Sequence, residues 1–173
     1  MPKTSHRIWV EIVDMPDGTP AAGTLFPPPA AASTTPRLFN PTDSYVDHGQ
    51  STIHAFDEIL AITSSAAVDD WDGFGARRIP YAAVVKAQEF LPLIPADLPT
   101  PEVGVSPRGH VTMDWEKDQR HSFSVAIASD GMVYFASFLG DETSHGRAPF
   151  SGLVIPEGVL LGIRRTYGLA TQD

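Results

Sequence analysis

The chain has no cysteine, no apolar run long enough to span a bilayer, and few cationic side chains. Each absence removes a class of explanation. Without thiols there is no disulfide framework, no thiolate zinc site and no cysteine nucleophile. A membrane-spanning helix needs about 18 consecutive apolar residues, and charged residues, prolines and glycines interrupt every stretch well before that. Lys and Arg total 12 against 21 Asp and Glu, a formal charge of −9. That is the wrong sign for a protein that holds nucleic acid by displacing counterions. Neither a membrane nor direct nucleic-acid binding is therefore expected. The segment Arg7–Val13 is too short for a secretory leader and carries Glu11, so a cytoplasmic protein is expected.

What is present reads as one globular unit. The 173 residues are 42% hydrophobic and 19% charged, enough for a single domain with a real core. His6 to Met15 alternates as a strand, with Ile8, Val10 and Ile12 on one side, and Pro16-Asp17-Gly18 ends it. Thr19 to Thr42 is dominated by Pro, Ala and Thr and reads as an extended linker. Residues 1–45 thus form an N-terminal strand and Pro/Ala-rich arm, and 46–173 a single α+β domain.

Within that domain Ser51 or Thr52 caps a helix whose buried face carries Ile53, Phe56, Ile59, Leu60 and Thr63. Pro80 opens a second helix with Tyr81, Val84, Val85, Ala87, Phe90 and Leu91, and Pro92 and Pro95 end it. The period then changes to two. Glu102–Ser106, His110–Glu116, the segment around Phe123, Val125 and Ile127, and Met132–Leu139 read as strands, the last two joined by the Asp130-Gly131 turn. Gly140–Gly152 reads as a polar loop. Pro156 and Glu157 open a closing helix that presents Val159, Leu160, Ile163 and Tyr167 and stops at Gly168. The expected fold is α+β: about four antiparallel strands packed against two or three helices, with the N-terminal strand and arm in addition.

The most distinctive stretch is Asp69-Asp70-Trp71-Asp72-Gly73-Phe74-Gly75-Ala76-Arg77-Arg78, a loop between the first two helices. Together with Phe90-Leu91-Pro92, Pro99-Thr100-Pro101, Gly109-His110-Val111-Thr112-Met113-Asp114-Trp115 and Asp130-Gly131-Met132-Val133-Tyr134, it resembles a set of small, uncharacterised bacterial proteins with a W-D-G-x-G-A motif. These often occur in mobile or accessory gene neighbourhoods. The resemblance covers roughly residues 50–140 and implies a fold rather than a chemistry, since the set has no established catalytic residues.

Asp69, Asp70 and Asp72 superficially suggest a cation site, but their spacing lacks the alternating ligands of a calcium loop. Capping of backbone amides, an Asx-turn from Asp72 into Gly73, and Trp71 plugging the gap between helices explain them better, with Arg77 and Arg78 available to neutralise the acids. Phe74 is expected in the core, the alternative being an exposed anchor. Outward His110, Asp114 and Glu116 read as a solvated strand face, and His121 and Ser122 point to opposite faces. The 141–147 segment, with Ser144 and His145, remains as a nucleophile–base alternative. No catalytic residue, metal or cofactor is assigned.

The expected function is a non-enzymatic protein-binding module of an accessory locus, of antitoxin, immunity or inhibitor type, binding a partner of basic character through Asp69, Asp70, Trp71, Asp72, Phe74, Arg77 and Arg78. The alternatives are a structural subunit that forms homo-oligomers through its N-terminal arm and, third, a small hydrolase or metal-dependent enzyme.

Overall fold

The computed structural model describes residues 44–169, with side chains from residue 52 onward. The expected N-terminal strand and Pro-rich arm lie outside the described residues. Helix α1 spans Ser44–Ser65, α2 Tyr81–Phe90 and α3 Glu157–Tyr167, and a short 3-10 turn, Leu91–Leu93, extends α2. The strands are β1 (Glu102–Val105), β2 (Val111–Asp118), β3 (His121–Ile127), β4 (Met132–Leu139) and β5 (Glu142–Pro149). The architecture is α+β.

Alternation sets the sheet. The five strands follow one another in sequence order, each antiparallel to the next. The register places Val111, Ile127 and Val133 in one row, Met113, Val125 and Phe135 in the next, and Trp115 and Phe123 beyond them. These side chains form the helix-covered face, and all but Phe135 are buried in a core shared with Ala55, Ile59, Val84, Phe90, Val159 and Ile163. Trp115 is wholly enclosed, and its indole Nε1 donates to the Pro99 carbonyl at 2.8 Å, which satisfies the one polar atom it buries.

The sequence reading of four strands falls one short. Residues 142–149 form β5, not a polar loop, in continuous register with β4 from Met132↔Pro149 to Leu139↔Glu142. The reason is physical. A strand is held by its backbone ladder, and β5 is an edge whose side chains are mostly exposed, so no apolar alternation marks it in the sequence. The first helix likewise begins at Ser44 rather than near Ser51 or Thr52, since no proline separates the two positions. Of its expected face, Ile59 is buried, but Ile53 and Leu60 turn outward.

α2 packs through Ala83, Val84, Ala87 and Phe90, whose three- and four-residue steps make one face. α3 approaches the sheet so closely over β3 that a Cβ on Gly162 would stand 2.1 Å from Phe123 Cε2. At its end Gly168 adopts φ +69°, and Leu169 N donates to Arg164 O at 2.9 Å, a left-handed cap that glycine supports without strain. Arg164 also pairs with Asp97 at 2.9 Å, tying α3 to the connector that precedes the sheet.

Gly162→Ala therefore sets helix propensity, a gain of about 1 kcal/mol, against overpacking on Phe123, a loss of about 1–3 kcal/mol. The steric term is the larger at 2.1 Å. Urea unfolding is expected to show net destabilisation in the wild-type background and stabilisation when Phe123→Leu frees the space.

Candidate interaction site

The chain must leave α1 and re-enter α2 on the same side of the sheet, and the intervening loop does so by bonding to itself. Its ends are joined by Ile79 N donating to Ala66 O at 3.0 Å. Inside, Asp70 N donates to Ala76 O at 2.6 Å and Gly73 N to Asp70 O at 3.0 Å. Arg77 N reaches Pro107 O in the β1–β2 turn at 2.8 Å and fastens the loop to the sheet.

The three carboxylates complete this network. Asp69 Oδ1 accepts from Arg78 N at 2.9 Å, and Asp70 Oδ1 from Gly75 N at 2.7 Å. Asp72 Oδ1 accepts from Phe74 N at 2.8 Å, the Asx-turn, and from Ala76 N at 3.1 Å. Trp71 Nε1 donates to Arg77 O at 3.1 Å while its ring packs against the edge of the core. The backbone pays attention to sterics here: Asp70 has φ +61°, Gly73 +76° and Gly75 +89°. Asp is one of the few side chains that visits this region readily, and glycine enters it freely. Among the described residues, no group of three or more His, Asp or Glu stands close enough to hold a metal ion. The aspartates aim at the loop's own amides.

One residue is left over. Phe74 is 93% exposed at the loop tip, which overturns its expected place in the core. Its own amide is engaged by Asp72, so the position is fixed while the ring projects outward. Val68 on the α1 side and Tyr81 at the start of α2 are also largely exposed, and Arg77 and Arg78 lie between them. The loop thus presents apolar and aromatic groups beside arginines on a backbone whose bonds are already made.

The other sequence candidates are placed differently. His110, Asp114 and Glu116 do share the sheet face away from the helices. Asp114 accepts a short hydrogen bond from the Ser124 hydroxyl. His145 lies in the same row as Asp114 and Ser124, beyond Ala136. Two strand spacings, about 10 Å, separate the backbones of Ser124 and His145, too far for direct proton transfer. Ser144 and His145 point to opposite faces of β5, and Ser144 bonds Ser137 at 2.7 Å, which breaks up the proposed nucleophile–base pair. Asp141 pairs with Arg120 at 2.6 Å, and His121 with Asp118 at 2.8 Å. The hydrogen bond from the Arg120 amide, then that from His121, holds the exposed Asp118 carboxyl below its usual range.

The sequence reading missed the partner of His110. Its ring stacks on Tyr134 with centroids 5.8 Å apart and planes 4° from parallel. His110 immediately precedes β2, and Tyr134 stands on β4 opposite the small Ala126 of the intervening β3, so the two rings meet across β3. Alternation across three strands was the available signal. Burial, reinforced by Arg108 and opposed by Asp130, pushes the His110 imidazole below the ordinary histidine range. Among the described residues its buried Nδ1 has no hydrogen-bond partner.

Two outcomes follow from this geometry. Asp72→Ala strips the acceptor from Phe74 N and Ala76 N and is expected to lower stability by about 1–3 kcal/mol. Asp72→Asn keeps an acceptor oxygen and should lose less, as chemical denaturation of the two variants would show. For His110, the unfolded chain binds a proton more readily than the folded one, so stability rises with pH through this group. It is fully retained above about pH 6.5 and falls as pH drops below that value. Unfolding curves across that range should be flatter for His110→Phe, which keeps an aromatic ring and cannot titrate. Comparison of the chain with protein-family models, with curated proteins and with solved structures found no match to any of them.

Proposed function

We propose that the chain is a non-enzymatic protein-binding module, of the antitoxin, immunity or inhibitor type found in accessory bacterial loci, and that the loop from Asp69 to Arg78 is its contact surface. The observation that carries this reading is Phe74, almost fully exposed on a loop that spends its polar groups on itself. A soluble surface gains nothing from an aromatic ring held in water. An interface does, because the backbone that carries the ring is ordered in advance and the ring's burial is not offset by loop ordering. Tyr81 and Val68 extend the apolar surface, and Arg77 and Arg78 supply groups common at interface centres. The net charge of −9 favours a partner of basic character through long-range attraction, with the loop providing the short-range fit.

The test is affinity capture of the tagged full chain from its native host, followed by titration of the isolated partner against variants. A stoichiometric partner is expected. Phe74→Ala should weaken it by about 30-fold or more, the loss of a central aromatic anchor, while leaving the unfolding midpoint of the free protein unchanged. Binding that persists undiminished in Phe74→Ala would remove the loop from the interface.

A further inference from the structure

We infer that β5 is a self-pairing edge, through which two copies of this chain join their sheets antiparallel about a two-fold axis normal to the sheet. The argument starts from the ladder. Phe150 N donates to Gly131 O at 2.8 Å, immediately beyond the last paired residues of β5 and β4. In an antiparallel pair, bonded and non-bonded positions alternate. Glu142, Ser144, Gly146 and Ala148 therefore turn their backbone groups toward β4. Thr143, His145 and Arg147 turn both N–H and C=O outward, along an edge that pairs with no other strand among the described residues.

That edge has few of the features that keep natural edges single, Arg147 being the one Lys, Arg, Asp or Glu in its outward-facing triplet. Its register with β4 is continuous, with no bulge, and it has no lysine. Its one proline, Pro149, stands at the last position, outside the outward-facing triplet. The strand is eight residues long, and its side chains from Glu142 to His145 are exposed.

The outward groups also choose the register. A two-fold axis normal to the sheet keeps the helices of both copies on one side and pairs residues of like orientation. Centred on His145, it sets Thr143 opposite Arg147 of the second copy, Arg147 opposite Thr143, and His145 opposite its counterpart. Every outward N–H and C=O of the triplet then meets its complement. A shift of one residue in the centre still opposes outward groups but leaves one member of the triplet without a counterpart in it. Centred on Ser144, Arg147 meets the turn residue Asp141, and centred on Gly146, Thr143 meets Pro149, which has no N–H. Charge agrees with this register. Asp141, in the turn immediately before β5, lies diagonal to Arg147 of the second copy, within reach of a long side chain. Asp141 is 95% exposed and is held in place by Arg120. The symmetry makes that pairing twice.

Light scattering on the full chain over a range of concentrations should show a monomer–dimer equilibrium. His145→Pro removes a central outward donor at an edge position where proline is tolerated, so the variant should keep its circular dichroism and become monomeric. Asp141→Arg and Arg147→Asp should each weaken the dimer by roughly tenfold, and the double variant should recover most of that loss. Phe74→Ala should leave the dimer intact, which separates this inference from the proposed partner site. A monomer at all concentrations overturns the inference. So does a dimer that survives His145→Pro, since it would place the interface elsewhere, the N-terminal arm included. Should His145→Pro unfold, the charge exchange decides alone: no recovery in the double variant rejects the register.

Discussion

One-sided burial of the antiparallel meander is the constraint on which the rest depends. Val111, Met113, Trp115, Phe123, Val125 and Ile127 all point to one face, and that face has to be covered. Among the described residues three helices do so, each with a small residue at the contact: Ala55 in α1, Ala83 and Ala87 in α2, Gly162 in α3. Among the described residues the opposite face has no such helical cover. Its centre is floored by Ala126, Ala136 and Ser124 and bridged by the His110–Tyr134 stack. The chemistry of the two faces differs because their packing does.

The loop between α1 and α2 is a consequence of that constraint. Both helices must lie on the same side of the sheet, so the chain has to reverse in the short span between Ser65 and Tyr81. A reversal that tight strands several amides away from regular structure, and each needs an acceptor. Asp69, Asp70 and Asp72 provide them, and Gly73 and Gly75 allow the backbone angles that bring amide and carboxylate together. Three acids in four residues look like a ligand set in a linear sequence. In three dimensions they are structural, and the residue the loop leaves exposed is the phenylalanine between the glycines.

What the sequence made legible follows the same division. The period-two runs around Met113 and Val125, the helical steps from Val84 to Phe90, and the capping role of the aspartates were all readable, because burial imposes a pattern on residue type. β5 was not readable. Thr143, Ser144, His145, Gly146 and Arg147 have no buried side to pattern them, and only the backbone ladder makes them a strand. Phe74 misled for the opposite reason. An aromatic residue between two glycines fits a core plug as well as an exposed anchor, and Trp71, three residues earlier, already fills the plug's position. Distinguishing the two required knowing which ring the core had room for.

The two proposed surfaces occupy opposite edges of the molecule. Arg77 ties the Phe74 loop to Pro107, in the turn joining β1 and β2, whereas β5 closes the far side of the sheet. Four strand spacings, about 19 Å, separate the outer strands. Neither surface therefore obstructs the other, and a pair of chains joined at β5 would carry its two loops at the outer ends of a continuous sheet. Such a pair meets a partner with two sites as a bivalent binder, in which the second contact is intramolecular and the affinity of one loop need not be high. On the proposed reading, a small acidic chain that contacts its partner through Phe74 and its neighbours would have little contact area of its own. Doubling it through an edge strand would supply avidity with no enlargement of the loop, and would do so with backbone groups that pair with no other strand among the described residues.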